Sequence, residues 1–372
     1  MTIDGQRVSF DPGETILQVA LRHGIEIPTL CYLKGASPTG ACRICLVEVE
    51  RARNLIASCA APAGPNMVVT TESPRVVKAR RLNLELLLSS GYHNCLVQEM
   101  DADAWTDFQL AGLDRDEHRD ICPVYGECRL QALAVKYQVR TEHFRPKETS
   151  FPVENVNPFI VRDFSRCILC GRCVQACNDI QVNNAISYGY RGFESKIVAA
   201  GDRVLKDSDC VFCGECVQAC PVGALVPTNY FHKHHLSPDE KKVQTTCAYC
   251  GVGCQLYLHI YDNKVIRVTG VEDTGPNNGS LCVKGRFGYD FIDDPERLKT
   301  PLIKRNGQFH EASWDEALGF VAQGLTKIKK ASGPDSIMVL SSARITNEEN
   351  YLAQKFTRAV IGTNNIDHCA RL

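Results

Sequence analysis

The densest chemistry in this sequence lies in two cysteine runs. They are Cys167-Ile-Leu-Cys170-Gly-Arg-Cys173-Val-Gln-Ala-Cys177 and Cys210-Val-Phe-Cys213-Gly-Glu-Cys216-Val-Gln-Ala-Cys220-Pro221. Each is C-x2-C-x2-C-x3-C, the spacing that holds 4Fe–4S clusters through thiolates. Three thiolates on one tight loop can cap three corners of a cube, while the fourth opens the next turn and faces away. The fourth cysteine of each run therefore serves the other cluster. Cys167, Cys170, Cys173 and Cys220 form one set, and Cys210, Cys213, Cys216 and Cys177 form the other. Structural zinc prefers two separated C-x2-C pairs, and the same cluster spacing occurs twice here. Two adjacent one-electron carriers make a wire.

Three further sets surround this pair. Cys31, Cys42, Cys45 and Cys59 follow the spacing C-x10-C-x2-C-x13-C, with Gly35 and Gly40 in a loop that must wrap closely around an inorganic core. Spacing alone leaves zinc open there; the strand-turn-helix in front of it resembles a 2Fe–2S domain of the plant-ferredoxin type. His93, Cys95, Cys122 and Cys128 could bind zinc or a 4Fe–4S cluster held by one histidine and three cysteines. A neutral imidazole in place of a thiolate removes negative charge and raises the potential, as in Rieske centres. His118, four residues before Cys122, competes with His93, but it sits in an acidic stretch from Gln98 to Asp120 that reads as a surface insertion. Cys247, Cys250, Cys254 and Cys282 form the last set, C-x2-C-x3-C-x27-C, for which zinc again stays open from spacing alone. Lys284 would by default be a solvated charge; beside a cluster it could hold an anionic cofactor. His232-Lys233-His234-His235 lies in a Pro- and charge-bearing linker and reads as a solvated connector.

The elements that must position these ligands are legible in outline. Thr2 to Phe10 reads as two short strands around Asp4-Gly5, and Thr15 to His23 as a helix stopped by Gly24. Residues 74–90 predict an amphipathic helix, Leu130 to Tyr137 a short one, and Asp179 to Asp207 a hairpin between the two cysteine runs. A second hairpin is expected around Tyr261-Asp-Asn-Lys264. Ser336 to Ser341 reads as a buried strand, and Thr346-Asn-Glu-Glu349 as a capping box opening a helix to about Ile361, closed by Gly362. One strand and one helix cannot bury both faces of a parallel sheet, so this α/β domain is expected to be unfinished at Leu372.

The fold class expected is therefore multidomain α+β. Residues 1–73 form a β-grasp 2Fe–2S ferredoxin domain, 74–140 a 4Fe–4S domain with one His and three Cys ligands, and 141–235 a double 4Fe–4S ferredoxin domain. Residues 243–300 form a further 4Fe–4S domain and 301–372 the start of an α/β domain. A net charge of −1 gives no footprint for nucleic acid or an anionic membrane. No apolar run approaches the roughly eighteen residues of a membrane span. The N-terminus carries neither a signal peptide nor a twin-arginine leader, and twenty cysteines in a reducing compartment point to metal rather than disulfides. The expectation is a cytoplasmic protein.

Four, three, four, four and four ligand cysteines leave only Cys369 over. Five such sites in this order resemble the N-terminal half of the catalytic alpha subunit of cytosolic, NAD- or hydrogenase-linked formate dehydrogenases. The first three modules also look like the front of iron-only hydrogenases, and the first two like the large iron–sulfur subunit of respiratory complex I. Cys247-Ala-Tyr-Cys250-Gly-Val-Gly-Cys254 with Cys282-Val-Lys284-Gly-Arg286 is similar to the start of molybdopterin-dependent formate dehydrogenases. Ser342-Ala-Arg344-Ile-Thr-Asn347-Glu-Glu-Asn350-Tyr351 and Gly362-Thr-Asn-Asn-Ile-Asp-His-Cys-Ala-Arg371-Leu372 look like that family too.

The resemblance implies a molybdenum or tungsten bis-molybdopterin guanine dinucleotide with Lys284 between it and the neighbouring cluster, and the segments around Arg344 and Asn364 approaching it. With one 2Fe–2S and four 4Fe–4S clusters, electrons from formate oxidation to CO2, or toward the reverse reaction, would run to flavin and iron–sulfur NADH-dehydrogenase-like subunits or a hydrogenase. In that family the residue after the Ala-Arg-Leu segment is a selenocysteine or cysteine metal ligand, followed by a His. The expectation is thus a selenocysteine codon directly after Leu372, and no catalytic side chain within the 372 residues. The sequence departs from the family's H-x3-C-x2-C-x5-C pattern, since Gln98 stands where a cysteine would be. Two other classes remain in view. One is a stand-alone iron–sulfur electron-transfer subunit. The other is an iron-only hydrogenase, for which Cys369 alone cannot support a hydrogen-activating cluster.

Overall fold

Asp4 and Gly5 both adopt left-handed backbone, with φ of 46° and 82°, the requirement of a tight two-residue hairpin. They join β1 (Thr2–Ile3) to β2 (Gln6–Arg7). The computed structural model describes residues 1–91, 93, 123–124, 127–139, 143–144, 151–231 and 240–369. Cys95, Cys122, His118, the acidic insertion, His232 to His235 and Arg371 lie outside them. The described chain divides into two compact units, 1–240 and 241–372.

In the first unit β1 pairs in parallel with β5 (Val68–Thr70), and β3 (Leu46–Val49) and β4 (Ile56–Ala57) complete a sheet of order β2-β1-β5-β3-β4. Helix α1 (Ile16–Arg22) begins in a capping box: the Thr15 hydroxyl accepts from Gln18 N, and the Gln18 side chain accepts from Thr15 N. This satisfies two donors that a helix start leaves bare. Ile16, Leu17, Val19 and Ala20 then bury completely against Ile3, Val47 and Val69. Helix over sheet is the expected β-grasp arrangement.

Helix α2 (Pro74–Ser89) starts at Ser73 and carries a fully buried Arg80. Its guanidinium donates to Ile44 O and Leu46 O (2.9 Å each), to Tyr137 Oη (2.8 Å) and to Glu72 Oε1 (2.5 Å). A buried cation is tolerable only when its donors are used. Here they tie α2 to β3 and to Tyr137, the residue that ends α3 (Arg129–Lys136).

Strand β6 (Ile160–Arg162) pairs antiparallel with β9 (Leu225–Pro227) and draws the two cysteine runs together. Each run feeds a short helix, α4 (Arg172–Gln175), continued by a π-helical turn to Ile180, and α5 (Glu215–Ala219). Between them stands the expected hairpin, β7 (Ile186–Gly189) with β8 (Lys196–Ala199). One apolar core joins the modules: Leu30, Cys31, Cys42 and Ile44 pack with Leu84, Cys128, Leu130, Ile168, Cys170 and Val222.

The second unit opens with an antiparallel sheet, β10 (Lys241–Thr246), β11 (Gln255–Tyr261) and β12 (Lys264–Gly270), turned at Asp262-Asn263 in left-handed backbone. Short helix α6 (Val283–Phe287) follows. Next come a hairpin, β13 (Leu302–Arg305) and β14 (Gln308–Glu311), and α7 (Trp314–Ser332), which the sequence reading did not identify. Strand β15 (Val339–Ser342) pairs in parallel with β16 (Ile366–Cys369) across α8 (Asn347–Lys355), which is extended by a π-helical turn to Ile361. The Thr346–Glu349 capping box is present, and Gly362 takes φ 88°.

The expected buried strand needs correction. The strand starts at Val339 rather than Ser336, and Leu340 is 77% exposed. Among the described residues β15 has one neighbouring strand, too little surface to cover so apolar a run. No described helix is long and apolar enough to cross a membrane.

Candidate metal centres

The two cysteine runs fold into matched loops. Leu169 and Phe212, the residues before the second cysteine of each run, take φ of 52° and 53°; Gly171 and Gly214, just after it, take 78° and 75°. A side-chain-bearing residue adopts left-handed backbone at a cost of about 1–2 kcal/mol, so a repeated instance marks a shape that the loop needs. The shape turns amides toward sulfur: Leu169 N donates to Cys167 Sγ and Phe212 N to Cys210 Sγ, both at 3.4 Å. Ala185 N donates to Cys177 Sγ at 3.3 Å.

Two cavities result. One, of about 20 Å3, is lined by Cys167, Cys170, Cys173 and Cys220; the other, of about 30 Å3, by Cys177, Cys210, Cys213 and Cys216. The fourth cysteine of each run thus stands with the three of the other run. Phe164, Ile197 and Leu225 line both cavities, so one layer of apolar side chains separates them.

Burial pushes the thiols of Cys167 and Cys170 up to about 12, and those of Cys173, Cys216 and Cys220 up as well. Four thiolates could share such a pocket only with cationic metal among them. The cysteines stand around cavities, an arrangement suited to a polynuclear cluster with inward N–H donors.

In the β-grasp module the four cysteines are buried. A hydrogen bond from the Cys42 thiol pulls Cys31 down to about 5, and Cys42, which keeps the proton, is pushed up. Cys59 does the same for Cys45, lowering it to about 6 while rising itself. Cys42 N reaches Cys31 Sγ at 3.5 Å, and the Ser58 hydroxyl, which donates to Cys45 O at 2.8 Å, also lowers the Cys45 thiol.

His93 is described, and its Nε2 is buried with no hydrogen-bond partner. Burial first, and then the charge of Arg166, lower the imidazole to about 4, so the ring is neutral. A neutral ring with an orphaned nitrogen has the state that a metal ligand requires. Gly91 leaves room here, because a Cβ there would fall 2.3 Å from Ser165 O and 3.4 Å from His93 Nε2. Cys128, the other described member of that set, is buried in the shared core at the start of α3.

In the second unit Cys247 packs with Leu256, Val268 and Leu281, and partly buried Cys254 lies against them. Cys247 N donates to Cys254 O at 2.8 Å. Gly285, next to Lys284, is where a Cβ would come 3.6 Å from Cys247 Sγ. Cys282 and Lys284 are exposed, as are Arg344 and Asn364. The Cys250–Cys254 loop meets the segment around Arg344: Gly251 N donates to Ala343 O (3.3 Å) and Asn347 Nδ2 to Gly251 O (2.6 Å). Sequence reading missed Arg162, which lines the Cys210 cavity, and Tyr188, whose hydroxyl covers Gly171. Only the fold brings them to the cysteines, although an arginine in the strand leading into a cysteine run was a usable signal.

Four family models match in chain order: "2Fe-2S iron-sulfur cluster binding domain" over residues 1–74, "4Fe-4S dicluster domain" over 166–224, "Molybdopterin oxidoreductase Fe4S4 domain" over 240–294 and "Molybdopterin oxidoreductase" over 297–372. The chain belongs to the molybdopterin oxidoreductase family and is an iron–sulfur electron-transfer portion of it. Its relatives include an NADH-quinone oxidoreductase subunit of Rhizobium meliloti, 35% identical over all of this chain and 40% of that protein. A putative formate dehydrogenase of Staphylococcus aureus is 30% identical over all of this chain and 39% of its own length. The chain therefore spans about 40% of the length of these relatives. A crystal structure of NAD+-reducing [NiFe]-hydrogenase in the H2-reduced state matches at TM-score 0.52 and 32% identity, over 64% of this chain and 89% of that one.

Proposed function

We propose that this chain relays electrons between a molybdenum or tungsten pterin site that interconverts formate and CO2 and a flavin and iron–sulfur NADH-dehydrogenase-like subunit or a hydrogenase. The relay rests on one observation above all: two cysteine-lined cavities a single side-chain layer apart. Cys31, Cys42, Cys45 and Cys59 would hold a 2Fe–2S cluster. His93, Cys95, Cys122 and Cys128, the two crossed ferredoxin sets, and Cys247, Cys250, Cys254 and Cys282 would each hold a 4Fe–4S cluster. When bound, the clusters carry single electrons and the pterin-held metal supplies the formate chemistry.

The protein's own part is positional and electrostatic. Left-handed loop residues aim amides at the thiolates, the apolar Phe164, Ile197 and Leu225 border both cavities, and neutral His93 would lower the negative charge of its set. Lys284 and the segments around Arg344 and Asn364 would carry charge and hydrogen bonds to the pterin. The formate half is supported by the similarity to putative formate dehydrogenases and by the sequence around Lys284. The reading places the chain in the cytoplasm, where thiols stay reduced until clusters are inserted.

A second reading, electron transfer in an NADH-quinone oxidoreductase without formate turnover, is favoured by the 35% identity to the Rhizobium meliloti protein. The two separate in the complex isolated from its host under anaerobic conditions, with cluster reduction followed by EPR. On the first reading formate reduces the clusters of the wild type but not of Cys254→Ser, while partner-driven reduction of the N-terminal clusters survives in both. If formate leaves every cluster oxidised while NADH reduces them, the second reading stands instead.

A further inference from the structure

Among the described residues lining the Cys177, Cys210, Cys213 and Cys216 cavity, Arg162 brings a buried guanidinium with an unused end. Its side chain is 3% exposed. Nε donates to Glu154 Oε1 at 3.0 Å, and Nη2 donates to Glu154 Oε2 and, at 3.4 Å, to Arg203 O. Nη1 is buried with no acceptor. Glu154 is held in turn, since it accepts from Leu205 N at 2.9 Å and its backbone pairs with that of Arg162. The Phe164 ring lies 4.9 Å from the guanidinium carbon and is itself part of the partition between the two cavities. The guanidinium is thus gripped on one edge and one face. Only the Nη1 edge remains for a further partner.

A buried, unpaired donor is costly, about 1–3 kcal/mol, and in a native fold calls for an acceptor. The cavity that Arg162 lines offers sulfur. We propose that Arg162 Nη1 donates a hydrogen bond to the sulfur atoms of the group held by Cys177, Cys210, Cys213 and Cys216, and thereby raises the reduction potential of that cluster. The proposal rests on the ligand sets assigned above. Reduction adds one electron and one negative charge with no bond made or broken, and hydrogen bonds to sulfur favour that state. Because Glu154 cancels the guanidinium charge, the donor itself is what remains to act. Arg162 is a positioning and tuning residue and takes no part in ligation.

The test is an EPR-monitored redox titration of the intact chain in its native complex, comparing wild type with Arg162→Met/Glu154→Gln, which keeps net charge constant and removes the donor. The signal belonging to this site is identified by its loss in Cys213→Ser. The expected result is an approximately tenfold weaker reduction equilibrium at this cluster, about 60 mV for a one-electron couple, with its neighbour in the Cys167 cavity nearly unmoved. Arg162→Lys serves where the double variant does not assemble: the ammonium keeps Glu154 paired but lacks the second edge, so the shift has the same direction. A change below twofold at this cluster, or an equal change at both, overturns the proposal. If Cys213→Ser removes no cluster, the ligand assignment itself fails and the proposal with it.

Discussion

Gly171→Ala probes how tightly the first cysteine loop is built. Gly171 takes φ 78°, and a Cβ there would lie 2.2 Å from Tyr188 Oη and 3.3 Å from Tyr188 Cζ. Left-handed backbone costs a side-chain-bearing residue about 1–2 kcal/mol. Tyr188 is 52% exposed and can swing outward, losing its packing on the loop at about 1 kcal/mol. The sum is about 2–3 kcal/mol, and each 1.4 kcal/mol is tenfold. If both costs are relieved on the way to unfolding, cluster loss should run about 30- to 140-fold faster. The assay is the bleaching rate of cluster absorption in fixed guanidinium under argon. In a Tyr188→Phe background the hydroxyl is gone, and only the backbone part, about tenfold, should remain. Equal rates for Gly171→Ala and wild type would refute the strained-loop argument. An effect undiminished by Tyr188→Phe would refute the contact.

His93→Cys replaces a neutral ligand with a thiolate, so one 4Fe–4S signal should move to lower potential in an EPR titration. An unmoved set of potentials would remove His93 from the ligands. Glu85 is buried, which raises its carboxyl, but the His143 amide and ring and the Phe144 amide outweigh burial and hold it below the usual range. A lowered folded value means that the stabilisation is present above the unfolded carboxylate pKa and is lost as pH falls through the folded one. Glu85→Gln should therefore cost about 2 kcal/mol near neutrality and flatten the acid side of the stability curve. A variant with the same acid slope as wild type would show that Glu85 is not the titrating group.

What the sequence disclosed is what short range decides. The Thr346 cap and the Asp4-Gly5 and Asp262-Asn263 turns act within a few residues, and each appears in the fold. Helix α7 had a readable start at Ser313, whose hydroxyl accepts from Glu316 N, and a readable stop at Gly333; it went unidentified although local signals were there. Arg80, Arg162 and Tyr188 are of another kind. Apart from Glu72, the partners of Arg80 lie 34 to 57 residues away across the core, Arg162 reaches Arg203 O 41 residues on, and Tyr188 meets Leu169 O 19 residues back. Such contacts exist only after collapse, and no periodicity announces them. The strand at Val339 is exposed for a related reason, because apolar content predicts burial only where neighbouring elements supply the cover.

The crossed cysteine sets are the centre of the account, and paired serine variants test them most directly. Cys220→Ser, Cys173→Ser, Cys177→Ser and Cys216→Ser would each be reduced and compared by EPR. If the sets cross, Cys220→Ser and Cys173→Ser lose the same signal, and Cys177→Ser and Cys216→Ser lose the other. If Cys220→Ser instead matches Cys216→Ser, each run holds its own cluster, and the two-cavity relay is wrong.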